Sequence, residues 1–329
     1  MWGSAVRIRY GPPDMIDKRE IVSIKEVKLL LTQALPKRKI SDVAPIIRGS
    51  TNLIFQANTN EGEIILKIAY REDRIKEGTL EKEAKILKQF ERVNWEIPIP
   101  KILWHGRTKD GLPAHIQTAL KGTRIEDLLT PEIDATKAAG TLGKFVAHMH
   151  GFTEKNINEF ERGRKTFPNF RDFAEHRLNE WRPLCLTATH IPIRQIENAY
   201  DYIRKNLHFF TEKKWSYQHA DISKENLLGE IRDNTLFLTG LCDFENVQTG
   251  PIEYDIATTD DAIFLFYPYL ESPFLKGYES VRAFPQNFEI RLKVVNLFRA
   301  LRYIKRSVKY NEVHYYEHDQ KYFTKWLEK

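Results

Sequence analysis

Cysteine is nearly absent from this chain: Cys185 and Cys242 are the two in 329 residues. They form no CxxC pair and join no Cys/His cluster at metal-ligand spacing. A disulfide scaffold and a structural zinc site are therefore excluded, and a reducing, cytoplasmic home is expected. Long apolar runs are missing as well. Stretches such as Ala262–Leu270 fall far short of the roughly 20 residues that span a bilayer, and Met1–Met15 lacks the apolar core of a secretion signal. No membrane partner is expected. With 16 glycines and 15 prolines the chain cannot be collagen-like or of low complexity. Charge of one sign is also scarce outside the first residues. The net charge is 51 minus 45, or +6, and residues 1–40 hold nine Lys/Arg against four Asp/Glu, which is +5 of it. A nucleic-acid partner calls for a basic excess on a folded face with aromatics interleaved, so this distribution argues against one.

What is present is core-forming. Thirty-nine aromatics (19 Phe, 14 Tyr, 6 Trp) and 42% hydrophobic residues can bury a sizeable interior, and the length suits two domains or lobes. Residues 1–14 lack periodicity and end in Gly-Pro-Pro-Asp, which reads as a disordered tail ahead of Met15. Apolar residues at 21, 24, 27, 31 and 35 predict an amphipathic helix over Ile21–Leu35. Asn52–Ala57 and Glu63–Ala69, joined by a polar turn, predict an antiparallel hairpin. A helix over Glu77–Arg92 and short strands over Lys101–His105 and Ala114–Leu120 complete a small α+β lobe, residues 15–121. Over 122–329 helical periodicity takes over: Ala135–Phe152, Asn169–Glu180, Ile193–Phe210 and Phe288–Tyr310. One interruption holds strands at Asn226–Leu228 and Leu236–Cys242.

That interruption carries the chemistry. On one loop Asp221 and Asn226 stand five residues apart, and after the hairpin comes Asp243-Phe-Glu. Hard divalent cations such as magnesium take oxygen ligands, usually one or two carboxylates plus the substrate's phosphates. Asp243 and Asn226 supply such a set, and Asp221 remains to accept a hydrogen bond from an attacking hydroxyl, the division of labour in kinase catalytic loops. As isolated residues an Asp and an Asn in a loop are also ordinary turn formers. Lys67 lies in the strand Ile64–Ile68, where a lone lysine usually faces solvent. Glu83, however, falls within the apolar stripe Leu80, Leu87, Phe90 of the next helix, where an unpaired carboxylate is costly. An ion pair between Lys67 and Glu83 resolves both oddities.

His219-Ala-Asp221 with Asn226, then Asp243-Phe-Glu, then Gly250-Pro-Ile-Glu-Tyr-Asp255 resembles the aminoglycoside phosphotransferase and choline kinase group of the protein-kinase-like superfamily, over about Gly49–Tyr278. Ala220 stands where that group usually has Gly, and Ile252-Glu253 where Asp-Pro is commoner. The resemblance implies a two-lobed protein-kinase-like fold, with a small β-rich N-lobe, a larger helical C-lobe, and ATP (or GTP) with Mg2+ bound between them. It implies that Lys67 and Glu83 grip the α and β phosphates. Backbone groups of Gly49, Ser50, Thr51 and Asn52 would cover phosphates, though the same residues make an ordinary turn. Gln117–Leu120 resembles the hinge that hydrogen-bonds adenine. Asp255 can cap the helix it begins, and the resemblance adds that it braces the catalytic loop, two roles that are compatible; His219 either holds the loop or moves a proton.

After Asp243 the chain reaches Gly250-Pro within a few residues, without the long loop and Ala-Pro-Glu element of protein kinases. The expected acceptor is therefore the hydroxyl of a small molecule. Glu253, Asp260, Asp261 and Glu271, among Tyr254, Phe264, Phe266 and Tyr267, suit a cationic acceptor such as an aminoglycoside or a choline-like amine. A solvated helix face accounts for the same acids. A metabolite kinase and an inactive nucleotide-binding module are the competing readings.

Overall fold

The computed structural model describes residues 22–46, 52–158 and 165–329, with the backbone alone at 76 and 77. The chain forms two compact units. One runs to Arg92 and resumes over Pro100–Ala119; the other takes Val93–Ile99 and Leu120–Lys329. Among the described residues no helix is long and apolar enough to cross a membrane.

The first unit opens with α1 (Ile24–Ala34), started by a reciprocal capping box between Ser23 and Glu26. Its Val27 and Leu31 are fully buried against Leu53, Phe55, Leu66, Ile68 and Ile116 of a five-stranded antiparallel sheet. The strands are β1 (Ile40–Ile46), β2 (Asn52–Thr59), β3 (Gly62–Ala69), β4 (Ile102–Arg107) and β5 (Pro113–Thr118), in the order β1-β2-β3-β5-β4. The sequence pattern did not predict β1. It contains Pro45, which cannot donate to a ladder and is tolerated because β1 is an edge strand. The helix expected over Glu77–Arg92 forms as α3 (Thr79–Phe90), and a short helix that the sequence pattern did not predict, α2 (Glu72–Glu77), precedes it. Gly78 separates them at φ +63°, a left-handed conformation natural to glycine, and its N–H closes onto the carbonyls of Arg74 and Ile75.

The second unit contains β6 (Thr123–Arg124), α4 (Ile125–Leu128), α5 (Thr136–Met149), β7 (Thr153–Glu154), β8 (Ile157–Asn158), β9 (Thr166–Phe167), α6 (Phe170–Cys185) and α7 (Ile193–Asn206). It continues through β10 (Trp215–Gln218), β11 (Leu227–Arg232), β12 (Thr235–Leu241), β13 (Gln248–Gly250) and α8 (Glu253–Thr259). A π-helical stretch follows over Asp260–Phe264, then α9 (Glu271–Glu279), α10 (Phe288–Tyr310) and α11 (Tyr316–Glu328). The expected α+β class is the one observed: an antiparallel sheet in one unit, helices dominating the other. Phe298 of α10 centres the helical core, with Phe170, Phe173 and Trp181 of α6 around its ring.

Helices α5 and α9 approach backbone to backbone. A Cβ placed on Gly143 would lie 2.0 Å from the carbonyl oxygen of Phe274, and one on Gly277 2.1 Å from that of Gly140. Glycine is required at both places because rigid backbone, not a movable side chain, fills the space. The contact sets His150, which ends α5, against Tyr278 of α9: imidazole Nδ1 and phenol oxygen are 2.9 Å apart. Gly143→Ala is expected to lower the denaturation midpoint, at a cost of about 1–3 kcal/mol for overpacking. Gly140→Ala is the control. Its Cβ meets nothing nearer than the Pro273 carbonyl oxygen at 3.6 Å, so it should be neutral or stabilising. Equal midpoints for the two variants would disprove the close approach.

Candidate active site

Strand β10 delivers the chain into the loop His219–Asn226, whose first turn is held by a buried carboxylate. Asp255 Oδ2 accepts the His219 N–H at 2.9 Å and Oδ1 the Ala220 N–H at 2.7 Å. The same Oδ2 is 3.2 Å from His150 Nε2. Asp255 is the third residue of α8, whose N-cap is Ile252; of the two roles open to Asp255, the geometry shows the loop brace. Ala220 adopts φ +62°, the left-handed region where a side chain is strained and glycine is not. This gives a physical reason for the glycine usual at that place in the family it resembles. His219 Nε2 lies 3.1 Å from the Cys242 carbonyl oxygen, and its ring packs edge-on to Phe244. The imidazole thereby links the loop to the end of β12.

The loop's far end is tied to β12 as well: the Cys242 N–H donates to the Asn226 carbonyl at 2.9 Å. Asn226 and Asp243 therefore flank one junction. The Asn226 amide donates to the Asp221 backbone oxygen at 2.9 Å and to Asp221 Oδ2 at 3.1 Å. Asn246 donates to the same Oδ2 at 3.3 Å, a contact the sequence reading missed because Asn246 lies in a short 3-10 turn with no spacing signal. Asp243 is held at φ +69°, a conformation that Asp tolerates better than most residues.

Burial pushes the Asp221 carboxyl up to about 7, and the negative charges of Asp243 and then Glu245 add to the effect against the hydrogen bond from Asn226. Among the described residues no three His, Cys, Asp or Glu side chains are grouped to hold a metal ion. The donor set of Asp243 and the Asn226 amide oxygen fits a hard divalent cation that draws its other oxygens from phosphates and water.

In the first unit Lys67 Nζ is 2.8 and 3.1 Å from the two Glu83 carboxylate oxygens. Both side chains are buried, at 6% and 0% exposure, so the pair inferred from the sequence is formed. His115, the cross-strand neighbour of Lys67, lies 3.8 Å from Glu83 and 3.2 Å from the Gln117 side-chain oxygen. Asn52 is buried at the start of β2, while Gly49, Ser50 and Thr51 lie outside the described residues. Gln117 is in β5, and Leu120 packs over Gly240 of β12.

The four acids grouped in the sequence as an acceptor face are instead held by intramolecular partners. Glu253 receives Arg291 Nε at 2.6 Å. Asp260 receives Lys325 at 2.5 Å and the Trp326 indole N–H at 2.7 Å. Asp261 receives the Tyr303 hydroxyl at 3.0 Å and lies 3.0 Å from His318 and 3.7 Å from Arg299. Glu271 is 3.6 Å from Lys329. The first three are buried, which the sequence could not show, because their partners come from α10 and α11, 38 or more residues along the chain.

The profile of the phosphotransferase enzyme family matches residues 42–274. No curated protein matches the sequence. Among solved structures, a thermostable mutant of aminoglycoside phosphotransferase APH(4)-Ia in its apo form is similar at a TM-score of 0.65 and 16% identity, covering 92% of this chain and 98% of that one. The GDP and kanamycin complex of APH(2")-IIIa gives 0.59 and 13%, over 92% and 96%. A protein assigned as a fructosamine-3-kinase from Haemophilus somnus 129PT gives 0.61 and 17%, over 92% and 97%. At these identities the likeness shows a shared kinase-like fold.

Two measurements test this geometry. Removing either member of the buried Lys67–Glu83 pair strands the other, at about 3–5 kcal/mol, so Lys67→Ala and Glu83→Ala should be strongly non-additive in a double-mutant cycle. Additive losses would mean that the two side chains do not interact. The second concerns Asp221. Its folded pKa of about 7 exceeds the ordinary 3.8, so folding favours its protonated form. Below about pH 3 both states are protonated and nothing is lost. As pH rises toward 7 the unfolded chain releases the proton first, and stability falls by up to about 4 kcal/mol. Asp221→Asn should therefore unfold at higher denaturant than wild type at pH 8 with divalent cations chelated, and the gap should narrow to near zero by about pH 3. A gap independent of pH would contradict the raised pKa.

Proposed function

The chain belongs to the phosphotransferase enzyme family, and we propose that it transfers the γ-phosphate of ATP to a hydroxyl of a small molecule. The observation that carries this reading is the setting of Asp221. Asn226 and Asn246 both donate to its Oδ2, which fixes the carboxylate and keeps Oδ1 for the acceptor hydroxyl. Asp221 orients that hydroxyl and takes its proton as the oxygen attacks phosphorus. A raised pKa suits a base working near neutrality. Asp255 contributes indirectly, by holding the two loop N–H groups that set where Asp221 stands.

Asp243 and Asn226 are the residues that would hold Mg2+, which when bound supplies compensation for the charge of the transferring phosphates. Lys67, kept in place by Glu83, would take the nucleotide's α and β phosphates. The backbone around Gly49–Asn52 and Gln117–Leu120 would serve the phosphates and the base. Similar structures carry ADP, AMP-PNP or GDP, two of them together with hygromycin B and one with kanamycin, which supports a nucleotide paired with a hydroxylated small molecule.

A small acceptor is also favoured by the chain after Asp243. It enters β13 at Gln248 and α8 at Glu253, with no segment long enough for the peptide-docking loop of protein kinases.

The test is a panel of hydroxylated compounds, sugars, sugar acids, amino sugars, aminoglycosides and choline, assayed for ADP release with mass detection of the phosphorylated product. Asp221→Ala should lower turnover by about 10²–10⁴-fold while nucleotide affinity changes little. Turnover within a factor of two of wild type would remove Asp221 from the reaction.

A further inference from the structure

We propose that Asn246 is a positioning residue for the reaction: its amide holds the plane of the Asp221 carboxylate, and it does so separately from the residues that would hold the metal. The proposal rests on the phosphotransferase reading above and gives a task in it to a residue outside the base and the ligand set. The need for such a residue comes from the aspartate side chain itself. Its last torsion joins an sp3 to an sp2 carbon and has broad, roughly two-fold minima, so the rotamer does not fix the carboxylate plane. Hydrogen bonds must fix it instead. Asn226 supplies one, at 3.1 Å to Oδ2, while the same amide nitrogen also donates to the Asp221 backbone oxygen at 2.9 Å. One donor on one oxygen sets a distance but leaves the plane free to swing about that oxygen. A second donor from another stretch of chain removes the freedom, and Asn246, 25 residues from Asp221, donates to the same Oδ2 at 3.3 Å.

The two amides differ in what else they must do. Asn226 would turn its amide oxygen to the cation, so any adjustment made there is passed through the same side chain to Asp221. Asn246 carries no such second duty: among the described residues, the bond to Asp221 is the one its side chain makes. Its place is set by the backbone. The left-handed Asp243, at φ +69°, turns the chain out of β12 into the 3-10 turn Phe244–Asn246. The Val247 N–H closes that turn onto the Phe244 carbonyl at 3.2 Å, and both side chains are buried, at 0% and 1% exposure. The turn is thus anchored on either side of Asn246, whose own amide reaches the loop His219–Asn226. Without it Oδ1 would no longer be held toward the acceptor hydroxyl, and a misplacement of about 1 Å can cost on the order of 10²-fold in rate.

The experiment introduces Asn246→Leu, which keeps the bulk and removes the donor, into wild type and into Asp221→Ala. ATP turnover is followed with radiolabelled ATP and the most active compound of the panel above, or with water as acceptor where none is active, and MgATP affinity is measured by calorimetry. In the wild-type background kcat should fall about 10–100-fold, with MgATP affinity and the acceptor KM changed less than twofold. In Asp221→Ala the same replacement should have no further effect, because no carboxylate remains to be positioned. A kcat within a factor of two of wild type, an equal loss in both backgrounds, or a loss matched by weaker MgATP binding would each overturn the proposal. The contact itself is read without activity, from the Asn246 side-chain amide NMR signal in protein labelled with 15N-asparagine. That signal should move in Asp221→Ala, and an unmoved signal would also overturn the proposal. Turnover unaffected by Asp221→Ala, with the Asn246 signal moved, would instead remove the phosphotransfer reading and leave Asn246 holding the carboxylate.

Discussion

The buried carboxylate of Asp255 is the constraint on which the loop His219–Asn226 depends. A fully buried anion is tolerable only when donors surround it, and here they are the backbone N–H groups of His219 and Ala220, with the His150 imidazole against one oxygen. Meeting that requirement forces the chain into the left-handed turn at Ala220 and so directs Asp221 away from the strand that precedes it. The His150 side of the network depends in turn on the glycine contact of α5 with α9, which brings His150 and Tyr278 within hydrogen-bonding distance. A packing choice at Gly143 and Gly277 is transmitted through two side chains to the loop that would do chemistry.

The helical unit treats its acids in two opposite ways. At Asp261 burial raises the carboxyl, but the hydrogen bond and charge of His318 and the charge of Arg299 outweigh it and hold the group below its ordinary range. Around Asp260 burial prevails over Lys325 and the group sits high. Both acids serve to clamp α11 and the π-helical stretch to the core, through Lys325, Trp326 and His318. Asp221 has amide donors but a neighbouring carboxylate, Asp243, in place of a close cation. Burial and that neighbour together push its carboxyl up to about 7.

Much of this was readable in the sequence. The order Asp221, Asn226, Asp243 marked the loop, since chemistry that needs oxygen ligands and a base leaves polar residues at set spacings, and the family resemblance added Asp255 as its brace. The Lys67–Glu83 pair was readable because Glu83 broke an apolar stripe and so demanded a partner. The hairpin β2–β3 and helix α10 followed from period and turn chemistry. Strand β1 did not, because Pro45 argues against a strand unless the edge position is known, and neither did α2, whose six residues are too few to show a helical period.

By itself the sequence determined the α+β composition of the two units, the phosphoryl-transfer motif and the one ion pair whose members disturb local patterns. Only the tertiary structure decided what the acids between Glu253 and Glu271 do, and that Asn246 reaches Asp221. Periodicity reports which face of a helix is apolar, but not which distant helix packs on it. Asp260 and Lys325 are 65 residues apart, and their pairing depends on how α11 lies against the π-helical stretch, an arrangement set by the packing of side chains rather than by any local preference.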